Sequence, residues 1–215
     1  MKTENPFGKI LIFSPHPDDE VLGCGGLMAK YAKDIHVHYV TFFHPLVETS
    51  VYEEENDFLS QTYGFSKSKS AFNTSTNRLH TLPITEIISD FEKVISAVKP
   101  DTVFTCFPSY NQDHRVVFDA VLTATRPHDR LWRVKNVLVY EQPETLHTNR
   151  ITNEQFRPQV FIEIDPVAKN ALYGCYKSQV RDHRGPELLE AIARLRGSHI
   201  SKPFAEAFEC VRMTL

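Results

Sequence analysis

The stretch Lys9–Phe43, KILIFSPHPDDEVLGCGGLMAKYAKDIHVHYVTFF, decides the fold. Its first six residues, Lys9–Ser14, form a short apolar run between Gly8 and Pro15, which reads as a buried strand. After Pro15, residues Val21, Met28 and Ala32 recur at helical spacing behind acidic residues suited to a first turn. His36–Phe43 is rich in β-forming residues and reads as the next strand. Strand, helix, strand in this order is the signature of a parallel sheet with helices on its faces.

Outward from this unit the alternation continues. Tyr52–Thr62 is a candidate helix, and Ser66–Asn77, rich in Ser, Thr, Lys and Asn, reads as a surface loop. Ile84, Ile87, Ile88, Phe91, Ile95 and Val98 follow the i, i+3, i+4, i+7 pattern of an amphipathic helix, which Pro100 stops. Asp101–Phe107 reads as a strand, Ser109–Gln112 as a polar turn, and Val117, Ala120, Val121 and Ala124 mark another helix. Val134–Tyr140 and Gln159–Ile164 are strand candidates, helices are expected near 167–180 and 186–196, and a weaker final strand near 207–212. With no linker or repeat, residues 1–215 read as one α/β domain, a Rossmann-like, open, mostly parallel sheet with helices on both faces.

Composition narrows the function. The chain has 24 Lys plus Arg against 27 Asp plus Glu, a net charge of −3, so it lacks the basic excess of a nucleic-acid protein. No apolar run approaches the roughly 18 residues a membrane span needs, and the polar start, Met1–Gly8, does not read as a secretory signal. Cys24, Cys106, Cys175 and Cys210 are scattered, which fits a reducing cytoplasm better than a disulfide framework or a zinc knuckle. The ten histidines are the less ordinary count, and only their placement gives them meaning.

Two segments combine histidine with acid at a strand's carboxyl end, where open α/β sheets bind ligands. In Pro15-His16-Pro17-Asp18-Asp19-Glu20, His16 and Asp19 are close enough to converge on one cation, and Pro17 stiffens the turn by restricting His16. They supply two of the three protein ligands of a catalytic zinc site, leaving Asp18 beside the metal as a base. The competing reading is a first helical turn whose acids complement the helix dipole. In Asn111-Gln112-Asp113-His114-Arg115, His114 offers the third ligand and Asp113 a group that orients the site. By itself that stretch equally suits an N-capping Asp113 and an exposed histidine. Gly23-Cys24-Gly25-Gly26 does not match G-x-G-x-x-G and follows three acids, so it reads as close helix–sheet packing rather than a phosphate loop.

With these residues in hand, the chain resembles the LmbE-like de-N-acetylases. That family includes the N-acetylglucosaminyl-phosphatidylinositol (PIG-L) de-N-acetylase and the deacetylases of mycothiol and bacillithiol biosynthesis. PHPDDE after the first strand and a later Asp-His opening a helix carry the resemblance, which spans roughly residues 9–212. Supporting stretches are Tyr176–Gln179, Ala193–Gly197 and Ala205–Glu209. The resemblance implies a Rossmann-like fold and a divalent metal, usually zinc, on His16, Asp19 and His114. It further implies Asp18 as general base and an N-acetylated amino sugar or its conjugate as substrate. Two departures stand out. Many members have His where this chain has Asn111, which donates a hydrogen bond but cannot transfer a proton. The region Phe42–Gly64 also lacks the glycine-rich turn and arginine that often contact substrate. By alignment with a His-Pro-Arg-like stretch, His183 is a candidate proton donor and Arg184 a candidate substrate contact, each as readily a solvated loop residue. Glu206 is offered as a partner for a sugar hydroxyl. His36 and His38 share one strand face and read as structural, and the other five histidines as surface residues. Non-sugar N-acyl amides remain open as substrates, as does a binding protein without catalysis. The native metal and the oligomeric state are open as well.

Overall fold

Strand β1 (Ile10–Ser14) lies in the middle of the sheet and is buried along its whole length, as its unbroken apolar run requires of a strand covered on both faces. The structure is a computed structural model that describes residues 4–42, 48–72, 79–129, 132–148 and 155–214. From β1 the chain passes through α1 (Asp19–Tyr31) to β2 (Ile35–Tyr39), then α2 (Thr49–Tyr63) and β3 (Ser66–Lys69). It continues through α3 (Ile84–Val98) and β4 (Thr102–Cys106) to α4 (Gln112–Ala124) and β5 (Asn136–Tyr140). The last part comprises α5 (Thr145–Thr148), β6 (Val160–Glu163), α6 (Pro166–Tyr173), α7 (Pro186–Ser198) and β7 (Ala205–Arg212).

The seven strands are ordered β3-β2-β1-β4-β5-β7-β6. All pairs from β3 to β5 are parallel, and β7 runs antiparallel between β5 and β6. The chain therefore leaves β1 in one direction to β2 and β3, then crosses back to β4 on the other side. Crossovers of one hand that proceed in opposite directions place their helices on opposite faces. Accordingly α1 packs with α6 and α6 with α7, while α3 packs with α4. The reversal between β1 and β4 is a topological switch point, with a crevice at the carboxyl ends of those two strands.

The glycines of α1 seat it close to its neighbours. A Cβ on Gly23 would stand 2.1 Å from Tyr140 Cδ2 on β5, and one on Gly26 2.4 Å from Ile164 Cγ2. This is the close packing expected of the Gly23–Gly26 run.

Some elements differ from the expectation. Ser66–Lys69, expected in a loop, is an edge strand pairing in parallel with β2. An edge strand needs no apolar face. Here the hydroxyls of Ser66 and Ser68 bond His36 and His38, while Lys67 and Lys69 pair with Asp57 and Glu53 of α2. Residues 73–77 of that expected loop, Phe43, and His44 lie outside the described residues. The helix expected over 167–180 ends at Tyr173, and the chain beyond it turns through Gly174 towards the crevice. The last strand is longer than expected and interior, paired with β5 on one side and β6 on the other, and its polar residue Glu206 is buried in an ion pair with Lys169 at 2.8 Å.

Candidate active site

The turn after β1 and the start of α4 meet at the switch point. One ligand atom each from His16, Asp19 and His114 lies within 4.8 Å of the others. His16 Nδ1 is 3.1 Å and His114 Nε2 3.3 Å from the same oxygen, Asp19 Oδ2. His114 Nε2 is fully buried and faces Asp19 Oδ2 without a well-formed hydrogen bond to it, an arrangement that costs free energy unless something else occupies it. Two imidazoles and a carboxylate facing one point form a donor set suited to zinc.

The far side of each imidazole is held by an acid. His16 Nε2 lies 3.2 Å from Asp113 Oδ2, and His114 Nδ1 lies 2.9 Å from Glu144 Oε1 and 3.0 Å from Ser109 Oγ. Such partners fix the tautomer and aim the free nitrogen. Burial alone would push both histidines down, but the acids outweigh it. Asp113 and Asp19 raise His16 to about 9, and Asp19 and Glu144 raise His114 to about 10. For Asp19, burial works upward, but His114 and His16 more than offset it and hold the carboxyl well below its usual range. Both imidazoles thus carry protons near neutral pH, and a divalent cation would take their place.

Asp18 is buried beside this cluster and accepts a hydrogen bond from Arg184 Nη2 at 2.7 Å. Burial raises its carboxyl to about 8, against the opposing pull of Arg184. Its backbone is left-handed, with φ 114° and ψ −29°, unusual for a residue with a side chain.

A cavity of about 350 Å³ opens over the cluster. His16, Asp18, Asp19 and His114 line it, and so do Asn111, His183 and Arg184. Asn111 is the N-cap of α4, its Oδ1 accepting from Asp113 N at 3.0 Å. That bond leaves the amide Nδ2 as the end free to donate. His183 and Arg184 sit on a short 3-10 turn, Asp182–Arg184, after α6. Asp113 does not line the cavity; it holds His16 from behind and accepts from Leu79 N at 3.1 Å.

Glu206 does not line this cavity. It is buried on β7, bonded to Lys169 and to the backbone N–H groups of Gly26 and Leu27 at 2.7 and 2.8 Å, which leaves it no part at the cavity. His36 and His38 share a strand face bonded to serines, and His38 also meets Asp90 at 3.3 Å, an acid distant in sequence.

Sequence reasoning missed Gln142 and Glu144. Gln142 Nε2 donates to Asp19 Oδ1, and Glu144 backs His114. Both follow β5 at the same carboxyl edge, so the positional rule that singled out His16 and His114 could have found them. Tyr52 and Arg181 also line the cavity and carried no signal in the sequence; Gln179, the last residue of the Tyr176–Gln179 stretch that supports the family resemblance, lines it too.

Comparison with known proteins bears on the family and the fold. The profile of the PIG-L family, described as GlcNAc-PI de-N-acetylase, matches residues 11–125, more than half of the chain. No curated protein matches the chain in sequence. Solved structures share the fold over nearly its full length. An N,N'-diacetylchitobiose deacetylase from Pyrococcus horikoshii superposes with a TM-score of 0.73 at 18% identity, covering 96% of this chain and 84% of its own. The zinc-inhibited form of a teicoplanin deacetylase gives 0.73 at 18% identity, covering 93% and 96%. A 4-carboxy-2-hydroxymuconate hydratase from Pseudomonas putida gives 0.75 at 18% identity, covering 97% and 98%. At such identities the likeness establishes the fold, which one scaffold lends to different reactions.

Proposed function

The chain belongs to the PIG-L, GlcNAc-PI de-N-acetylase, family, and from that membership we propose that it is a metal-dependent hydrolase removing the N-acetyl group from an N-acetylated amino sugar or its conjugate. On this reading residues 1–215 form one catalytic domain. The observation that carries it is the convergence of His16, Asp19 and His114 on one point, with the buried Nε2 of His114 lacking a well-formed hydrogen bond and Asp18 on the same cavity wall.

His16, Asp19 and His114 would hold the cation, with Asp113 and Glu144 orienting the two imidazoles. A bound divalent metal, zinc foremost, supplies polarisation of the acyl carbonyl and a water of lowered pKa. Asp18 takes a proton from the attacking water as the new C–O bond forms, an assistance typically worth about 10²–10⁴-fold. Asn111 Nδ2 donates to the oxygen on which negative charge develops. The C–N bond then breaks as the nitrogen receives a proton from Asp18 or His183, leaving acetate and a free amine. Arg184 keeps Asp18 oriented and faces the cavity where substrate polar groups would lie.

A second reading keeps the chemistry but takes a non-sugar N-acyl amide as substrate. Arg181 and Arg184 at the cavity favour it, because guanidinium groups pair well with a carboxylate. Binding without catalysis is the third reading, and the retention of Asp18 speaks against it. Acetate release from a panel of N-acetylhexosamines, nucleotide sugars and acylated amines, with one zinc per chain, tests all three. We expect turnover on an amino sugar, lost in Asp18→Ala. Undiminished turnover in that variant removes Asp18 as the base. Sugar binding with no acetate released under any divalent metal would replace the hydrolase with a carbohydrate-binding protein.

A further inference from the structure

The last residue of the PHPDDE segment takes no part in the chemistry above, yet both oxygens of its carboxylate are bonded. Glu20 has no exposed surface. Its Oε2 accepts from the backbone N–H of Asp18 at 3.1 Å and lies 2.8 Å from Ser14 Oγ, which itself reaches His16 O at 2.6 Å. Its Oε1 accepts from Tyr176 OH at 2.6 Å and from Tyr39 OH at 3.0 Å. The two hydroxyls stand 3.2 Å apart, and Asn56 Nδ2 donates to Tyr176 OH at 3.0 Å. One carboxylate thus ties the turn after β1 to the end of β2, to α2 and to the chain beyond α6.

The residue whose N–H it holds is the one in an unfavourable backbone conformation. Asp18 sits at φ 114°, a conformation unfavourable for a residue with a side chain, which persists only where surroundings enforce it. The enforcing contacts are the Glu20 bond to its N–H and the bonds its own C=O accepts from Val21 N at 3.1 Å and Leu22 N at 2.9 Å. The C=O bonds belong to the first turn of α1 and would survive a change at residue 20. The N–H is buried, and only the Glu20 carboxylate satisfies it among the described residues. Without that acceptor the peptide between Pro17 and Asp18 is free to rotate and relax φ to negative values. The rotation swings the Asp18 side chain away from Arg184 and from the cavity.

We propose that Glu20, clamped by Tyr39 and Tyr176, is a positioning residue that holds Asp18 in its left-handed backbone and so aims the Asp18 carboxylate into the cavity. This rests on the reading of Asp18 as the general base, and the role is that of an acceptor rather than of a charge. Gln can fill it, because its amide oxygen can face Asp18 N–H while its NH₂ faces the tyrosine hydroxyls, which accept as well as donate. Met, of similar shape, cannot.

The test uses the full chain loaded with zinc, with N-acetylglucosamine as the kinetic probe, and a crystal structure of each variant. In Glu20→Met, Asp18 should leave the left-handed region and its 2.7 Å contact with Arg184 should be lost, while zinc stays at one per chain. The kcat should fall about 100-fold with KM unchanged, the size expected when a reacting group is displaced by about 1 Å. Glu20→Gln should keep the wild-type geometry and kcat within about threefold. Adding Glu20→Met to Asp18→Asn should cost nothing further, since a residue acting through Asp18 has nothing left to position. Wild-type Asp18 geometry in Glu20→Met, or an additive loss in the double variant, overturns the proposal. Full activity in Asp18→Asn alone overturns instead the assignment of the base, and the crystal geometry still decides what holds Asp18. Should Glu20→Met fail to fold, Tyr39→Phe with Tyr176→Phe releases the Oε1 end of the clamp. An Asp18 backbone and Asp18–Arg184 contact unchanged in that variant likewise overturn the proposal.

Discussion

At the scale of single residues, the site depends on acids that touch no cation. Glu144 is the clearest case, since it reaches back from the segment after β5 to a histidine of the cluster. Glu144→Gln should lower zinc affinity about 10–100-fold, the usual loss when the partner behind a ligating histidine is removed. A competition titration with a chromophoric chelator measures it, and an unchanged affinity would place the orientation of His114 with Ser109 instead. Proton linkage gives a second prediction. His16 and His114 have folded pKa values near 9 and 10, above the ordinary 6.5. Without a cation, the stability they contribute is fully present below about pH 6.5 and is lost as pH rises through 9 to 10. A cation competes with those same protons, so zinc affinity should rise with pH across this range, with about two protons released per ion. Calorimetry in buffers of different ionisation enthalpy counts them, and release of none would contradict the geometry.

At the scale of elements, the edge pair β2 and β3 shows how a polar strand is built into a sheet. His36 bonds Ser66 and Ser68, and His38 bonds Ser68 and Ser70, so the two imidazoles and three hydroxyls form one line along the face. Burial and the neighbouring His38 and Lys9 hold His36 down to about 4. A histidine kept neutral in the fold contributes stability that is present above its unfolded pKa near 6.5. That stability is lost as pH falls from there through about 4. His36→Gln should therefore flatten the decline of Tm between pH 6.5 and 4 relative to wild type. Parallel acid slopes in thermal scans of the two proteins would show that β3 does not depend on this histidine. The same edge explains why Ser66–Lys69 was not legible as a strand. Its residues alternate hydroxyl and lysine, and neither type carries an apolar signal. By contrast β1 and α3 could be read at once: β1 is buried on both faces, and α3 turns Ile87, Phe91, Ile95 and Val98 to the core.

At the scale of the whole molecule, one buried ion pair joins three distant parts of the chain. Lys169 Nζ on α6 meets Glu206 on β7 at 2.8 Å and Leu22 O on α1 at 2.7 Å. Lys169→Met would leave the Glu206 carboxylate buried without its cation, which typically costs about 3–5 kcal/mol. Equilibrium urea unfolding should show that loss, and combining Lys169→Met with Glu206→Gln should recover part of it. A loss below about 1 kcal/mol would mean that the Gly26 and Leu27 N–H groups alone satisfy Glu206.

The division between what was legible in the chain and what was not follows from range. A strand buried on both faces, a helix with one apolar stripe, and a histidine and aspartate three residues apart are local features. Composition and spacing therefore determined the α/β class, the switch-point turn and the candidate residues His16, Asp19 and His114. The tertiary structure alone decided that Glu144 and Gln142 reach the same site from β5, and that Arg184 crosses from beyond α6 to Asp18. It also withdrew Glu206 from the cavity into the core. These are contacts across 123, 166 and 180 residues of sequence, made by polar groups with no periodicity to reveal them. They become specific only when burial removes water as the competing partner.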